Sequence, residues 1–104
     1  RLQKINQELQ LDDVKKKLYK EIQQAWYNAL ASESKYKSSE AAVKANEASF
    51  QLINERFNNG KATSLEYNES KLSLTKALSD RTQAKYDYLF RIKILEFYKG
   101  QTIE

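Results

Sequence analysis

The stretch Arg56-Phe57-Asn58-Asn59-Gly60-Lys61-Ala62-Thr63-Ser64-Leu65-Glu66 decides the fold. Asn58-Asn59-Gly60 supplies residues that tolerate left-handed backbone angles, which suits the end of a helix. Thr63-Ser64-Leu65-Glu66 then reads as a capping box opening a second helix. The Thr63 hydroxyl is expected to accept the Glu66 amide proton, and the Glu66 carboxylate to reach back to the Thr63 amide. One helix stops and another starts within about five residues, so the two fold back antiparallel.

Outward from this turn, little interrupts helix. Proline is absent and the two glycines are Gly60 and Gly100. A chain so poor in helix breakers is helical almost throughout. The expectation is an all-α fold: a long antiparallel, coiled-coil-like helical hairpin. Its helices span about 2–58 and 64–99, with the turn at Asn58–Thr63 and Gly100 as the natural stop of the second.

The first helix carries a seam at Leu18, Ile22, Ala25, Ala29, Ser32, Tyr36, Ser39, Val43, Asn46, Phe50, Ile53 and Phe57. Its spacing alternates four and three, a heptad repeat. Leu2, Ile5 and Leu9 keep the spacing in another phase. Small residues in the seam and on its flanks (Ala31, Ser38, Ala41, Ala42, Ala45, Ala48, Ser49) let neighbouring helices approach on more than one side. Trp26 and Leu30 add a second apolar patch. In the second helix the seam includes Leu74, Ala77, Leu78, Ala84, Tyr88, Ile92 and Leu95, with Leu65 and Leu72 on an adjacent face. Tyr86, Tyr88, Phe90, Phe97 and Tyr98 form an aromatic band at its far end, read as packing.

The helices are unequal. Folded back at Gly60, the second runs out opposite about residue 20. Residues 1 to about 20 then have no partner within the chain, and are expected to fray or to pair with another copy.

Composition narrows the function classes. The chain has 104 residues, 40% hydrophobic and 31% charged, with neither cysteine nor histidine. Disulfides, thiolate nucleophiles and the usual zinc ligands are therefore excluded, and no metal or cofactor is expected. The net charge of +4 comes from 18 basic and 14 acidic residues. It reads as a mixed, solvated helix surface. Lys15-Lys16-Lys17 and Lys20 form the one basic cluster, but Asp12 and Asp13 precede it, so no nucleic-acid partner is expected. No apolar run approaches the ~20 residues of a membrane span. Glu33, Glu40, Glu47 and Glu55 lie along a helix surface without a partnered base, and no catalytic residue is assigned. Beginning at Arg1 in mid-helix, the chain reads as one helical hairpin, 1–104, excised from a larger protein.

These features together resemble the periplasmic hairpin of TolC-like outer-membrane efflux proteins, in the second of their two repeats. The family's tip pattern is an arginine, an aromatic, two variable residues, glycine, two variable residues, serine or threonine, two variable residues and an acid. It is met by Arg56, Phe57, Gly60, Thr63 and Glu66. Beyond the tip the likeness continues through Ala77, Ala84, Tyr86, Asp87, Tyr88, Leu95 and Gly100. Upstream it includes Glu21-Ile22-Gln23-Gln24-Ala25-Trp26-Tyr27-Asn28.

The resemblance implies a trimeric export channel, with a β-barrel in the outer membrane and a tunnel of helices through the periplasm. It implies that Asn58, Asn59, Gly60 and Lys61 meet a periplasmic adaptor protein, itself joined to an inner-membrane transporter. It also implies that Glu66 and Glu69 place an acidic ring at the tunnel entrance. Two departures matter. Where some members close the tip through a tyrosine and an arginine, this chain has Phe57 and Ala62, so that gating is not carried over. Asn68 replaces a frequent leucine. The alternatives are the hairpin of a periplasmic adaptor, or a coiled-coil scaffold or membrane-surface module using Lys15 to Lys20.

Overall fold

The computed structural model describes the backbone of residues 2–103 and the side chains of residues 2–100. Helix α1 (Leu2–Asn58) has 57 residues and α2 (Ser64–Ile103) has 40. They form an antiparallel hairpin measuring 87 × 21 × 13 Å. The long dimension matches a continuous α1 of ~85 Å at about 1.5 Å per residue.

The seam of α1 is buried or half-buried at all twelve expected positions. The tightest points are small: Ala25, Ala29, Ser32 and Val43 on α1, and Ala77 and Ala84 on α2. Small side chains at an interhelical contact let two backbones come close, and larger side chains fill the layers between. One such layer is Tyr36 over Tyr88, ring centroids 6.2 Å apart.

A seam containing serine and asparagine must satisfy their polar atoms. Ser32 Oγ donates to Ala29 O at 2.9 Å, Ser39 Oγ to Tyr36 O at 2.6 Å, and Asn46 Nδ2 to Ala42 O at 2.8 Å. Each bonds back onto its own helix, so none needs a partner on α2. Among the described residues no buried side-chain polar atom is left unpaired.

On α2 the expected seam residues are likewise buried or half-buried, whereas Leu65 and Leu72 are exposed. One boundary differs from expectation. The helix does not stop at Gly100 but continues to Ile103. Gly60 is the one described glycine at positive φ, so Gly100 keeps a helical backbone. A glycine inside a helix costs only about 1 kcal/mol relative to alanine, too little to end it.

Residues 2–17 are exposed throughout, and burial begins at Leu18. This overhang extends ~24 Å beyond the paired region at about 1.5 Å per residue. Arg1, its expected first residue, lies outside the described residues. In dilute solution the amides of residues 2–17 should exchange at least about tenfold faster than those of 29–50. Equal protection in a hydrogen-exchange experiment would contradict the overhang.

Candidate functional site

Three hydrogen bonds end α1. Asn59 N donates to Glu55 O at 3.1 Å, Gly60 N to Phe57 O at 3.1 Å and Lys61 N to Arg56 O at 2.7 Å. The last two form the paired bonds of a glycine-terminated helix, which need a left-handed residue at position 60. Gly60 supplies it with φ +73°. A Cβ built there meets nothing within 4 Å. Backbone angle, not crowding, therefore selects glycine, and the space above it is open. Gly60→Ala should cost about 1–2 kcal/mol through the left-handed backbone alone, measurable by thermal denaturation.

Thr63 opens α2. Its Oγ1 accepts from Glu66 N at 3.1 Å, and its carbonyl accepts from Tyr67 N at 3.1 Å. The reciprocal half of the expected capping box is absent among the described residues, since the Glu66 carboxylate does not bond Thr63 N. Glu66 is exposed and the only acid in the first turn. Its charge still opposes the positive end of the helix, and water solvates the carboxylate in place of the amide. Thr63→Ala should therefore lower stability by about 1 kcal/mol, while Glu66→Gln should change it by a few tenths. A larger loss for Glu66→Gln in the same denaturation assay would restore the reciprocal bond.

Beneath the turn lies an aromatic plug. The Phe57 and Tyr67 rings stack at 4.7 Å, and Phe50 lies 5.5 Å from Tyr67. Tyr67 was not among the expected seam residues. Neither were Ser70, Arg81 and Arg91, all half-buried. Extending the three-four spacing through Leu74 and Ala77 in both directions reaches all four. The plug also gives Phe57 its role here, as packing under the tip.

The predicted contact residues Asn58, Asn59, Gly60 and Lys61 are together at the apex and exposed. Glu66 and Glu69 are one turn below, also exposed, and neither forms an ion pair among the described residues. Spacing places Glu66 on the same side of α2 as Asp80 and Asp87. On that side the two helices bound a shallow groove of about 880 Å³, whose lining includes Ser38, Ala42, Ser73, Lys76, Asp80 and Gln83. Asp87 pairs with Arg91 at 3.5 Å. Elsewhere on α1, Lys37 Nζ lies 3.0 Å from Glu33. That hydrogen bond and the Glu33 charge hold the Lys37 ammonium above its ordinary pKa.

No cluster of acids able to hold a metal occurs among the described residues. What the tip offers is an exposed, backbone-accessible apex at the end of a long pair of helices. No helix among the described residues is long and apolar enough to cross a membrane. Comparison with curated proteins and with solved structures gave no match. A family model described as outer membrane efflux protein does match, over residues 3–100. That span takes in both helices, the tip and the seam, and the chain belongs to the outer membrane efflux protein family.

Proposed function

We propose that this hairpin is a periplasmic wall segment of a trimeric export channel, and that its tip docks a periplasmic adaptor. Membership of the outer membrane efflux protein family makes it part of an efflux channel, a transport role without catalysis. The observation that carries the finer reading is the exposure of apolar side chains on several faces of a hairpin that already has a packed seam. Trp26, Leu30, Leu89, Phe90 and Phe97 are all exposed. Large apolar side chains left outside a completed two-helix seam call for further helices alongside, as a closed ring of hairpins provides.

The apex completes the proposal. Asn58, Asn59, Gly60 and Lys61 lie at the far end of the lever, where a second protein's hairpin tip can approach the Gly60 backbone. Glu66 and Glu69, repeated in three subunits, form an acidic ring at the entrance that attracts cations. An inner-membrane transporter acts through the adaptor, and the outer membrane is reached through parts of the protein beyond the hairpin. The family assignment weighs against the reading as an adaptor's own hairpin.

Periplasmic placement is tested by Lys61→Cys in the channel protein produced in cells. A membrane-impermeant maleimide should label it only after the outer membrane is permeabilised. Labelling of intact cells would overturn the placement.

A further inference from the structure

We propose that Asn59-Gly60, at the apex of the hairpin, is a modification site, where the Asn59 carboxamide converts spontaneously to aspartate and isoaspartate through a cyclic imide. The proposal concerns the chain's own covalent chemistry and does not rest on adaptor docking.

The chain has seven asparagines. Asn6, Asn28, Asn46, Asn54 and Asn58 lie in α1, and Asn68 lies in α2. Of the seven, Asn59 alone lies between the helices, and it alone precedes a glycine. Imide formation needs the amide nitrogen of the following residue to reach the asparagine Cγ. Inside a helix that nitrogen is held in the ladder of hydrogen bonds and the backbone angles are fixed, so the ring does not close. After Asn59 the chain has left α1, and Gly60 has no Cβ to hinder attack by its nitrogen.

The surroundings of Asn59 leave it free to react. It is exposed. The carboxamides of Asn28 and Asn46 are engaged, by Gln24 Nε2 at 3.1 Å and by Ala42 O at 2.8 Å, whereas that of Asn59 has no such partner among the described residues. A Cβ built at Gly60 meets nothing within 4 Å, so a ring has room there. One bond stands in the way, from Gly60 N to Phe57 O at 3.1 Å. It belongs to the end of a helix, where opening costs least.

Once that bond opens, base removes the Gly60 amide proton and the nitrogen attacks Asn59 Cγ. The new N–Cγ bond closes a five-membered ring, the Cγ–Nδ2 bond breaks, and Nδ2 leaves as ammonia, taking up one proton in place of the one removed. Water then adds to the imide. Breaking the N–Cγ bond gives aspartate; breaking the bond from Gly60 N to the Asn59 main-chain carbonyl carbon gives isoaspartate. Either product lowers the net charge of +4 by one and sets a carboxylate at the negative end of the α1 dipole. Isoaspartate also lengthens the main chain by one atom, displacing the bonds that Gly60 N and Lys61 N make to Phe57 O and Arg56 O.

The test uses the channel protein carrying this hairpin, purified in detergent and kept in warm, mildly alkaline buffer beside a sample denatured in guanidinium. Trypsin, used at mildly acidic pH, releases residues 57–61, and mass spectrometry follows conversion of amide to acid, with fragmentation separating position 58 from 59. Because helix ends open at little cost, folded protein should convert Asn59 at a rate within about tenfold of the denatured sample. Isoaspartate is confirmed by methyl transfer from an isoaspartyl methyltransferase, and Asn59→Gln, which needs a larger ring, should remove that signal from the tip. A folded rate more than about tenfold below the denatured one, conversion at Asn58 or Asn54 ahead of Asn59, or a methyl signal that persists at the tip in Asn59→Gln overturns the proposal.

Discussion

Replacing Val43 with aspartate is expected to abolish the cooperative folding of the isolated hairpin. Val43 is 1% exposed and is the largest fully buried side chain among the described residues. Moving a carboxylate from water into this buried layer, or forcing its protonation, costs several kcal/mol. A two-helix chain has little stability in reserve, below the roughly 5–15 kcal/mol of ordinary domains. The loss of one layer therefore exceeds what remains. Circular dichroism should show the helical signal falling without a cooperative melt. Leu52→Asp is the control, since Leu52 is 58% exposed and its substitution should shift stability by less than about 0.5 kcal/mol. Similar melts for the two variants would mean that the seam is not where Val43 lies.

Ala84→Leu should be the second most damaging change, for the opposite reason. Ala84 is 4% exposed, at a point where small side chains hold α1 and α2 close. Three extra carbons cannot be taken up without parting the helices or forcing a rotamer, at about 1–3 kcal/mol. The same addition at Ala41, on the exposed face of α1, should be near neutral. Urea denaturation of the two variants measures the difference. A stabilised Ala84→Leu would show that the contact has slack.

Both predictions rest on positions that the sequence exposes to view, and the reason is periodic. Val43 and Ala84 belong to rows that alternate three and four residues. A helix without proline has only one way to place such a row. The turn was legible for a similar reason: Gly60 at φ +73° and Thr63 at the N-cap are local solutions to ending and starting a helix. Two of the unexpected seam positions are chemically unlike a core. Arg81 and Arg91 lie half-buried on the seam row, where long aliphatic stems can cover apolar neighbours, and the Arg91 guanidinium pairs with Asp87. Tyr67 directly follows the capping Glu66 and forms the first seam layer of α2, against Phe57 and Phe50. The end of α2 was misplaced because glycine weakens a helix without dictating where it stops.

The tip is less legible than the seam, because its contacts lie outside this chain. Asn58 and Asn59 satisfy the turn whether or not anything touches them. Glu66 bears on the α2 dipole whether or not a pore surrounds it. Exposure of the apex and the open space above Gly60 are what a docking tip needs. They are also what any well-made turn displays. The family assignment turns that geometry into a specific expectation about a partner.

The most direct test of that expectation is photo-cross-linking at the apex. A photoreactive amino acid would replace Lys61 in the channel protein carrying this hairpin, with Tyr27, exposed at the opposite end of the paired region, as the comparison site. Irradiation of living cells should join the Lys61 position to a periplasmic adaptor, identified by mass spectrometry, and give no adaptor adduct from position 27. Adaptor adducts confined to position 27, or none at either site, would contradict docking through the tip.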